Sequence, residues 1–320
     1  MIIVTGGAGF IGSNIVKELN RKGRNDILIV DDLKDGENYK NLRGLHFIDY
    51  RHKDDFLESI EDDEFGGSDI DAVFHEGACS DTMEYDVNYM MKVNYEYSKT
   101  LLHFCLLHRV PFLYASSAST YGAGRHGFTE NDAAEDALNP YAYSKLAFDR
   151  YVRQVMRESR SPIVGLRYFN VFGARQDANG AYAAVIPRWI ATLLRQEAVQ
   201  INGDGQTSRD FCYIDNVVQA NIRAALTLAD DEPGTADVFN VAASRRTTLL
   251  ELAELLRKLI QEVKPDLQMP DPVFADFRPG DVRHSLADIS HSQKRLGYQP
   301  SHLLEDGLRI ALPWFIENPA

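Results

Sequence analysis

The first 23 residues constrain the fold of this chain more than any other segment. A short β-branched run, IIVT, leads into glycines at Gly6, Gly9 and Gly12, and an amphipathic helical pattern follows. In a strand–turn–helix of this kind the glycines allow a sharp turn, close approach of a pyrophosphate, and tight packing of helix on strand. The phosphates then lie at the positive end of the helix. The predicted phosphate-binding residues are Gly6, Gly9, Phe10, Ile11 and Gly12.

An acidic residue ends the second apolar run, ILIVDD. Asp31 follows the glycine turn by about 20 residues, where a carboxylate accepts the ribose hydroxyls of adenosine. The negative charge of Asp31 would repel a 2′-phosphate and therefore favours NAD. Lys34 and Lys40 could bind such a phosphate, so NADP is the alternative. Asp49, in a predicted turn after the third strand, is placed to meet the adenine amino group. The predicted adenosine-binding residues are Asp31, Asp32, Lys34, Asp49 and Tyr50.

Strands and helices alternate along the first half of the chain. The run DIDAVFHEGA ends in Glu76, Gly77 and Ala78, a long helix carries Asn94 towards the sheet, and later strands end at Ser117 and Asn170. This alternation predicts an α/β fold with a Rossmann-like, doubly wound parallel sheet, and a crevice at the carboxyl ends of the strands. We expect Glu76, Gly77, Ala78 and Asn94 to border a bound dinucleotide.

The sequence pattern changes after Gly173, where predicted loops and turn dipeptides become frequent. We expect residues 1–170 to form the dinucleotide-binding domain, with residues 210–242 returning to it. Residues 171–209 and 243–320 are predicted to form a smaller α/β domain that holds the substrate.

Three residues between positions 114 and 145 could perform proton transfer together. Tyr141 and Lys145 are four apart in a helical pattern and lie on one helix face, and Ser117 ends a buried strand. An ammonium beside a tyrosine favours the phenolate, which can take a hydroxyl proton near neutral pH. A nearby serine can relay that proton, so Ser117, Tyr141 and Lys145 are the candidate catalytic residues.

Composition narrows the class of partner. The net charge of −13 and the pI near 5.1 make nucleic acid an unfavourable partner, so an anionic ligand requires local cations such as Arg209 and Arg278. The three cysteines form no C-x-x-C pair and indicate a reducing compartment. Met1 runs directly into a core strand and no apolar run reaches about 18 residues. We therefore expect a cytoplasmic protein with no signal peptide, membrane span or metal site.

These motifs together resemble the sugar-nucleotide epimerases of the extended short-chain dehydrogenase/reductase family, over essentially the whole chain. The resemblance implies that a tightly held nicotinamide takes a hydride from a sugar carbon while Tyr141 takes the hydroxyl proton. The hydride then returns to the other face of the ketone. It also implies that Lys145 lowers the pKa of Tyr141 and holds the nicotinamide ribose.

The resemblance is divided near Gly173. The segments MIIVTGGAGFIGSNIVKELN, FHEGACSDT and PFLYASSASTYG resemble ADP-L-glycero-D-manno-heptose 6-epimerase. The segments GLRYFNVFGARQDANGAYAAVIPRW, INGDGQTSRDFCYIDNVVQAN and DFRPGDVRHSLADIS resemble UDP-N-acetylglucosamine 4-epimerases. A fusion of two epimerase halves and a natural relative between the two groups both explain this pattern.

The second half favours a UDP-sugar as substrate. Asn179 stands where the heptose enzymes have a catalytic lysine, and Ser285 stands where UDP-sugar enzymes keep a small side chain, leaving room for an N-acetyl group. The resemblance therefore implies a UDP-hexose or UDP-N-acetylhexosamine 4-epimerase, with ADP-heptose 6-epimerization as the alternative. The implied substrate-binding residues are Ser117, Asn170, Ala184, Asn202, Arg209, Asn240, Arg278, Asp281 and Ser285.

Two other classes remain open at this point. A sugar-nucleotide dehydratase needs an acid/base pair beside the serine, typically Asp-Glu, but Ala118 and Ser119 follow Ser117 here. A simple reductase would release its cofactor in each turnover, so cofactor retained through purification would count against it. A non-catalytic NAD-binding protein would not need Tyr141 and Lys145. The resemblance implies a homodimer built on a four-helix bundle, or the larger rings of the heptose enzymes.

Overall fold

The structure is a computed structural model that describes residues 1–33, 37–156, 161–177, 184–227, 236–277 and 282–318. Four residues discussed above, Lys34, Asn179, Arg278 and Asp281, lie outside the described residues. Across the described ranges, no helix is both long and apolar enough to cross a membrane.

A seven-stranded parallel sheet forms the centre of the described part of the chain. Its strands, in spatial order, are β3 (Asp49–His52), β2 (Ile27–Asp31), β1 (Ile2–Thr5), β4 (Ala72–His75), β5 (Phe112–Ser117), β6 (Ile163–Tyr168) and β11 (Ala236–Val241). All six neighbouring pairs are parallel. The chain order reverses at β1 and β4, which is the point where α/β sheets open a ligand crevice. The predicted α/β fold with a Rossmann-like doubly wound sheet is confirmed.

Both faces of the sheet are covered, and the strands are apolar for that reason. Within β1, Ile2 and Val4 belong to one hydrophobic cluster and Ile3 belongs to the other. Successive side chains of a strand point to opposite faces, so this alternation identifies one core on each side of the sheet. The helices that cover it are α1 (Phe10–Arg21), α2 (Lys53–Glu61), α3 (Val87–Met90), α4 (Tyr97–His108), α5 (Pro140–Val155) and α7 (Ile214–Thr227).

The remaining strands pair in twos. They are β7 (Val171–Phe172) with β10 (Cys212–Tyr213), β8 (Gln200–Asn202) with β13 (Val273–Ala275), and β9 (Ser208–Asp210) with β12 (Arg246–Thr248). The helices around them are α6 (Val185–Leu194), α8 (Leu249–Val263), α9 (Ser290–Leu296) and α10 (Leu304–Glu317). Because β7 follows β6 almost directly, this smaller layer begins at the carboxyl edge of the main sheet.

The third strand differs from its prediction. The sequence places a strand before Asp49 and a turn at Asp49, whereas Asp49 is the first residue of β3 and pairs with Leu28. The strand continues to His52, which pairs with Asp31. The prediction was wrong because polar residues fill the strand: β3 lies at the edge of the sheet and none of its residues is fully buried.

Candidate active site

The turn that joins β1 to α1 has no room for a side chain at Gly6 or Gly12. Gly6 has a φ of +66°, and a β-carbon there would lie 2.7 Å from the carbonyl carbon of Glu76. A β-carbon at Gly12 would clash with the carbonyl oxygen of Gly6. Helix α1 begins at Phe10, directly after Gly9. The turn therefore has the shape that a dinucleotide phosphate requires.

The carboxylate of Asp31 is held at the end of β2, beside the glycine turn. One oxygen accepts the Ala8 N–H at 2.7 Å, and the other accepts the Asp32 N–H at 2.7 Å. Burial raises the pKa of Asp31, and these backbone hydrogen bonds oppose that rise. Each oxygen keeps a lone pair for a ribose hydroxyl. Tyr50 lies at the same edge, because its hydroxyl donates to the Asp31 carbonyl at 3.0 Å.

A lysine that the sequence analysis did not single out completes this edge. Lys53 opens α2, and its Nζ lies 3.0 Å from a carboxylate oxygen of Asp32. Asp49, in contrast, starts β3 at the amino edge of the sheet, three strand positions before His52. Asp49 therefore lies in the strand and not in a turn at its carboxyl end, and its contact with adenine stays a prediction.

Two elements bring the candidate catalytic residues together. Ser117 is the last residue of β5, and Tyr141 and Lys145 lie on α5. The helix starts where it does because Asn139 accepts the Ala142 N–H at 2.8 Å and Pro140 occupies the first turn. This start brings the side chain of Tyr141 near the hydroxyl of Ser117, close enough for Ser117 to affect the pKa of Tyr141.

The protonation of this pair differs from the expectation. Burial raises the pKa of Tyr141, and Ser117 opposes the rise. Burial lowers the pKa of Lys145 to about 8, opposed by the charges of Glu76 and Asp149. The Nζ of Lys145 donates to the carbonyl of Ala115 at 2.9 Å. In the protein alone, burial therefore has a greater effect on the pKa of Tyr141 than Lys145 does.

Asn94 is committed to the loop after β4. Its Oδ1 accepts the Cys79 N–H at 2.8 Å, and its Nδ2 donates to the Cys79 carbonyl at 3.0 Å and to Ser144 Oγ at 3.1 Å. Asn94 lies in a π-helical segment, Met91–Glu96, a conformation common at functional sites. Asn94 therefore holds the loop after β4 at Cys79, and its place beside a bound dinucleotide stays a prediction.

A buried ion cluster fixes α5 on the sheet. The Arg167 side chain, on β6, is fully buried and donates to Asp149 at 2.8 Å and to Glu135 at 2.6 Å. Asp149 also accepts from Tyr114 and Ser116 on β5. Asp149 continues the spacing of four from Tyr141 and Lys145, a signal that the sequence analysis did not use.

The predicted substrate residues divide into two groups. Asn170 is exposed after β6 with a φ of +22°, and its amide donates to the Asp210 carbonyl at 3.3 Å. Arg209 lies on β9, Asn202 ends β8, and Ala184 is exposed before α6. These four remain accessible or partly accessible at the edge of the smaller layer.

Two other predicted substrate residues are buried and have structural partners. The amide of Asn240 accepts from Tyr121 at 2.7 Å and donates to the Phe128 and Asp288 carbonyls, both at 2.9 Å. The hydroxyl of Ser285 accepts the Asp210 N–H at 3.3 Å. The amide of Asn240 is thus fully paired within the chain, and the Ser285 oxygen is bonded to Asp210; contact of either residue with a substrate stays a prediction.

Glu76 has partners that the sequence analysis missed. It follows β4, and Oε1 accepts from the Tyr168 hydroxyl at 2.9 Å. That hydroxyl accepts from Asn221 Nδ2 at 2.9 Å. Among the described residues, Oε2 is buried without a hydrogen-bond partner. Within the same part of the chain, no cluster of three His, Cys, Asp or Glu side chains could hold a metal ion.

Known proteins share this arrangement over the whole length of the chain. The structure of UDP-N-acetylglucosamine 4-epimerase from Methanobrevibacter ruminantium, in complex with UDP-N-acetylmuramic acid, matches with a TM-score of 0.86 and 32% identity. The match covers 99% of this chain and 98% of that chain. UDP-glucose 4-epimerase from Thermus thermophilus, in complex with NAD, matches with a TM-score of 0.80 and 27% identity, covering 98% of each chain.

A heptose enzyme is also similar. ADP-L-glycero-D-manno-heptose-6-epimerase from Helicobacter pylori matches with a TM-score of 0.82 and 27% identity, covering 98% of this chain and 94% of that chain. The model of the NAD dependent epimerase/dehydratase family matches residues 2–242, about three quarters of the sequence. The chain therefore belongs to the NAD dependent epimerase/dehydratase family.

Proposed function

We propose that this protein is an NAD-dependent nucleotide-sugar epimerase that inverts C4 of a UDP-hexose or UDP-N-acetylhexosamine. The observation that carries the proposal is the convergence of Ser117, Tyr141 and Lys145 on the carboxyl edge of the sheet that also bears the glycine turn. A similar structure with NAD and one with a UDP-sugar support the cofactor and the substrate class.

The residues fit a bound dinucleotide. The turn has no space for a side chain at Gly6 or Gly12 and would hold the pyrophosphate, and Asp31 would hold the adenosine ribose. Lys145 would bind the nicotinamide ribose. Bound NAD would supply the reversible two-electron oxidation of the sugar alcohol to a ketone.

The chain's own groups then handle the proton. Tyr141, as phenolate, takes the proton of the sugar hydroxyl and returns it after inversion. The raised pKa of buried Tyr141 makes its phenolate a strong base once formed. Ser117, whose hydroxyl lowers the pKa of Tyr141, would stabilise that phenolate and the reacting oxygen. The hydrogen bond from Lys145 to Ala115 is available to be exchanged for one to the cofactor.

Cations beside the smaller layer support binding of a diphosphate. Arg209 on β9 and Arg246 on β12 lie on paired strands, and Arg283 follows nearby. Desolvation lowers the pKa of His284, and the positive charges of these three arginines lower it further. A local positive field of this kind attracts an anionic nucleotide to a protein whose net charge is −13. Arg278 and Asp281 belong to the same proposed site and lie outside the described residues.

ADP-heptose 6-epimerization is the second candidate. The similarity to the heptose enzyme extends over the whole chain, and the loop after β4, which Asn94 holds beside the catalytic residues, carries the FHEGACSDT segment that resembles that enzyme. The fusion of two epimerase halves stays a prediction, since each similar structure spans both halves. NADP, dehydration and non-catalytic binding are less favoured alternatives.

The organisation of the chain follows the same proposal. We infer that residues 1–170 and 210–242 form the dinucleotide unit, supported by β11 in the main sheet and by α7 packing on α1. A homodimer through α4 and α5 is supported by exposed apolar side chains there, among them Leu107 at 73% and Tyr143 at 51% exposure. The cytoplasmic location and the absence of nucleic-acid partners stay predictions.

The test is to identify cofactor and substrate in one preparation. The protein is denatured, and the released dinucleotide is identified by mass spectrometry. Intact protein is incubated with UDP-GlcNAc, UDP-glucose and ADP-D-glycero-D-manno-heptose, and the epimers are followed by NMR. Retained NAD with conversion of a UDP-sugar supports the proposal, whereas conversion of the ADP-heptose alone refutes the substrate assignment.

A further inference from the structure

A buried carboxyl group lies where β4 meets the glycine turn. The N–H of Glu76 donates to the Thr5 carbonyl at 3.1 Å, and its carbonyl carbon lies 2.7 Å from the position of a β-carbon on Gly6. Glu76 is therefore fixed by its backbone at the carboxyl edge of the sheet, between two segments that border the predicted dinucleotide.

The side chain is held at one oxygen only. Asn221 donates to the Tyr168 hydroxyl, so the proton of that hydroxyl is directed to Glu76 Oε1 at 2.9 Å. Among the described residues, Oε2 has no hydrogen-bond partner although it is buried. A buried polar atom without a partner costs free energy, and in native proteins it indicates a function or a missing partner.

Two groups at this edge, Glu76 and Lys145, have pKa values near neutral pH. Lys145, from α5, is close enough for its charge to affect the pKa of Glu76. Burial raises the pKa of Glu76 to about 7. Tyr168, from β6, has a pKa well above the normal range, and buried His75, from β4, has a pKa lowered to about 3. Near neutral pH these two are uncharged, so Glu76 and Lys145 set the local charge.

We propose that Glu76 faces the nicotinamide end of the bound dinucleotide and that its carboxylate stabilises the oxidised ring. The inference rests on the proposed function. The oxidised ring carries one positive charge and the reduced ring carries none. An anion close to the ring therefore favours the oxidised form, and the ammonium of Lys145 acts in the opposite direction. Glu76 is thus a group that balances the two redox states of the cofactor.

The test compares wild type with Glu76→Gln, which keeps an acceptor for Tyr168 and removes the charge. Holoenzyme is equilibrated with a redox dye of fixed potential between about pH 5 and pH 9, and the reduced fraction is read from nicotinamide absorbance. We expect the variant to have about tenfold more reduced cofactor at about pH 9, and nearly the wild-type ratio at about pH 5. This is the size expected for charges about 10 Å apart at an effective dielectric constant of about 20.

Two further variants separate the explanations. Tyr168→Phe keeps the carboxylate but removes a hydrogen bond that lowers the pKa of Glu76. Its redox ratio should keep the pH-dependent step and show it at higher pH. Glu305→Gln removes an exposed carboxylate that is paired with Arg309 on α10, and it should leave the ratio unchanged.

The outcomes distinguish this inference from the proposed function. If NAD is bound and a sugar is turned over, but Glu76→Gln matches wild type at every pH, the inference alone is refuted. The same holds if Tyr168→Phe does not move the step. If the protein neither retains nor binds NAD, the proposed function fails and the inference fails with it.

Discussion

Replacing Glu76 by Gln should stabilise the folded protein at alkaline pH and have a much smaller effect at acid pH. Burial raises the pKa of Glu76 from 4.5 to about 7, so the folded state holds a proton that the unfolded state has released. As the pH rises from about 4.5 to 7, the unfolded protein releases the Glu76 proton. The folded protein must either keep that proton or hold a buried negative charge, and both cost free energy. Wild type therefore loses stability between about pH 4.5 and pH 7, and glutamine at this position does not.

The magnitude follows from the two pKa values. Each pKa unit corresponds to about 1.4 kcal/mol, so well above pH 7 the full penalty is about 3.4 kcal/mol. At about pH 5 most of it is absent and about 0.8 kcal/mol remains. The difference in unfolding free energy between variant and wild type should therefore grow by about 2.5 kcal/mol from about pH 5 to pH 9.

The assay is urea unfolding followed by circular dichroism, with both proteins freed of NAD, because bound cofactor would add its own pH-dependent stabilisation, and at several pH values. Linear extrapolation gives each free energy of unfolding, and equal m-values show that only stability has changed. The Glu305→Gln variant removes an exposed carboxylate and serves as the control. If the difference in unfolding free energy between Glu76→Gln and wild type is the same at about pH 5 and pH 9, Glu76 does not have a raised pKa in the folded protein.

The remaining predictions concern the catalytic residues and their support. Tyr141→Phe should lower turnover at least about 10²-fold, measured by NMR of the sugar, while calorimetry shows that the protein still binds NAD. Unchanged turnover would exclude Tyr141 as the base. Gly12→Ala should weaken NAD binding, because the added methyl group would clash with the Gly6 carbonyl oxygen. Calorimetry measures the NAD affinity, with Gly23→Ala as the control. Equal NAD affinities of Gly12→Ala and wild type would contradict this prediction. Arg167→Met should cost about 3–5 kcal/mol in urea unfolding, because it leaves Asp149 and Glu135 buried without their cation. A loss under about 1 kcal/mol would show that the buried cluster contributes little.

Local patterns predicted the parts of the site that depend on the chain near each residue. The glycine turn needs only the spacing of Gly6, Gly9 and Gly12, and the sheet needs only apolar runs separated by helices. Tyr141 and Lys145 share a helix face because they are four residues apart. Ser117 was found because a buried strand ends there, and parallel strands end at one edge.

Contacts between distant segments of the chain could not be predicted from the sequence. Asn240 and Ser285 were expected at the substrate because related enzymes use these positions. Here Asn240 is bound by Tyr121, which is 119 positions away, and Ser285 by Asp210, which is 75 positions away. The strand that begins at Asp49 was predicted as a turn because an edge strand of polar residues has no apolar pattern. Such partners cannot be inferred from spacing.

The central claim is that Tyr141 and a resident nicotinamide invert a carbon of a UDP-sugar by oxidation and return of the same hydrogen. The most direct test is to incubate the enzyme with UDP-GlcNAc in D₂O and examine the product by NMR. The account predicts the C4 epimer with protium retained at C4, and no epimer with Tyr141→Phe. Deuterium at the inverted carbon would contradict it, because it would show that the hydrogen leaves as a proton and exchanges with solvent.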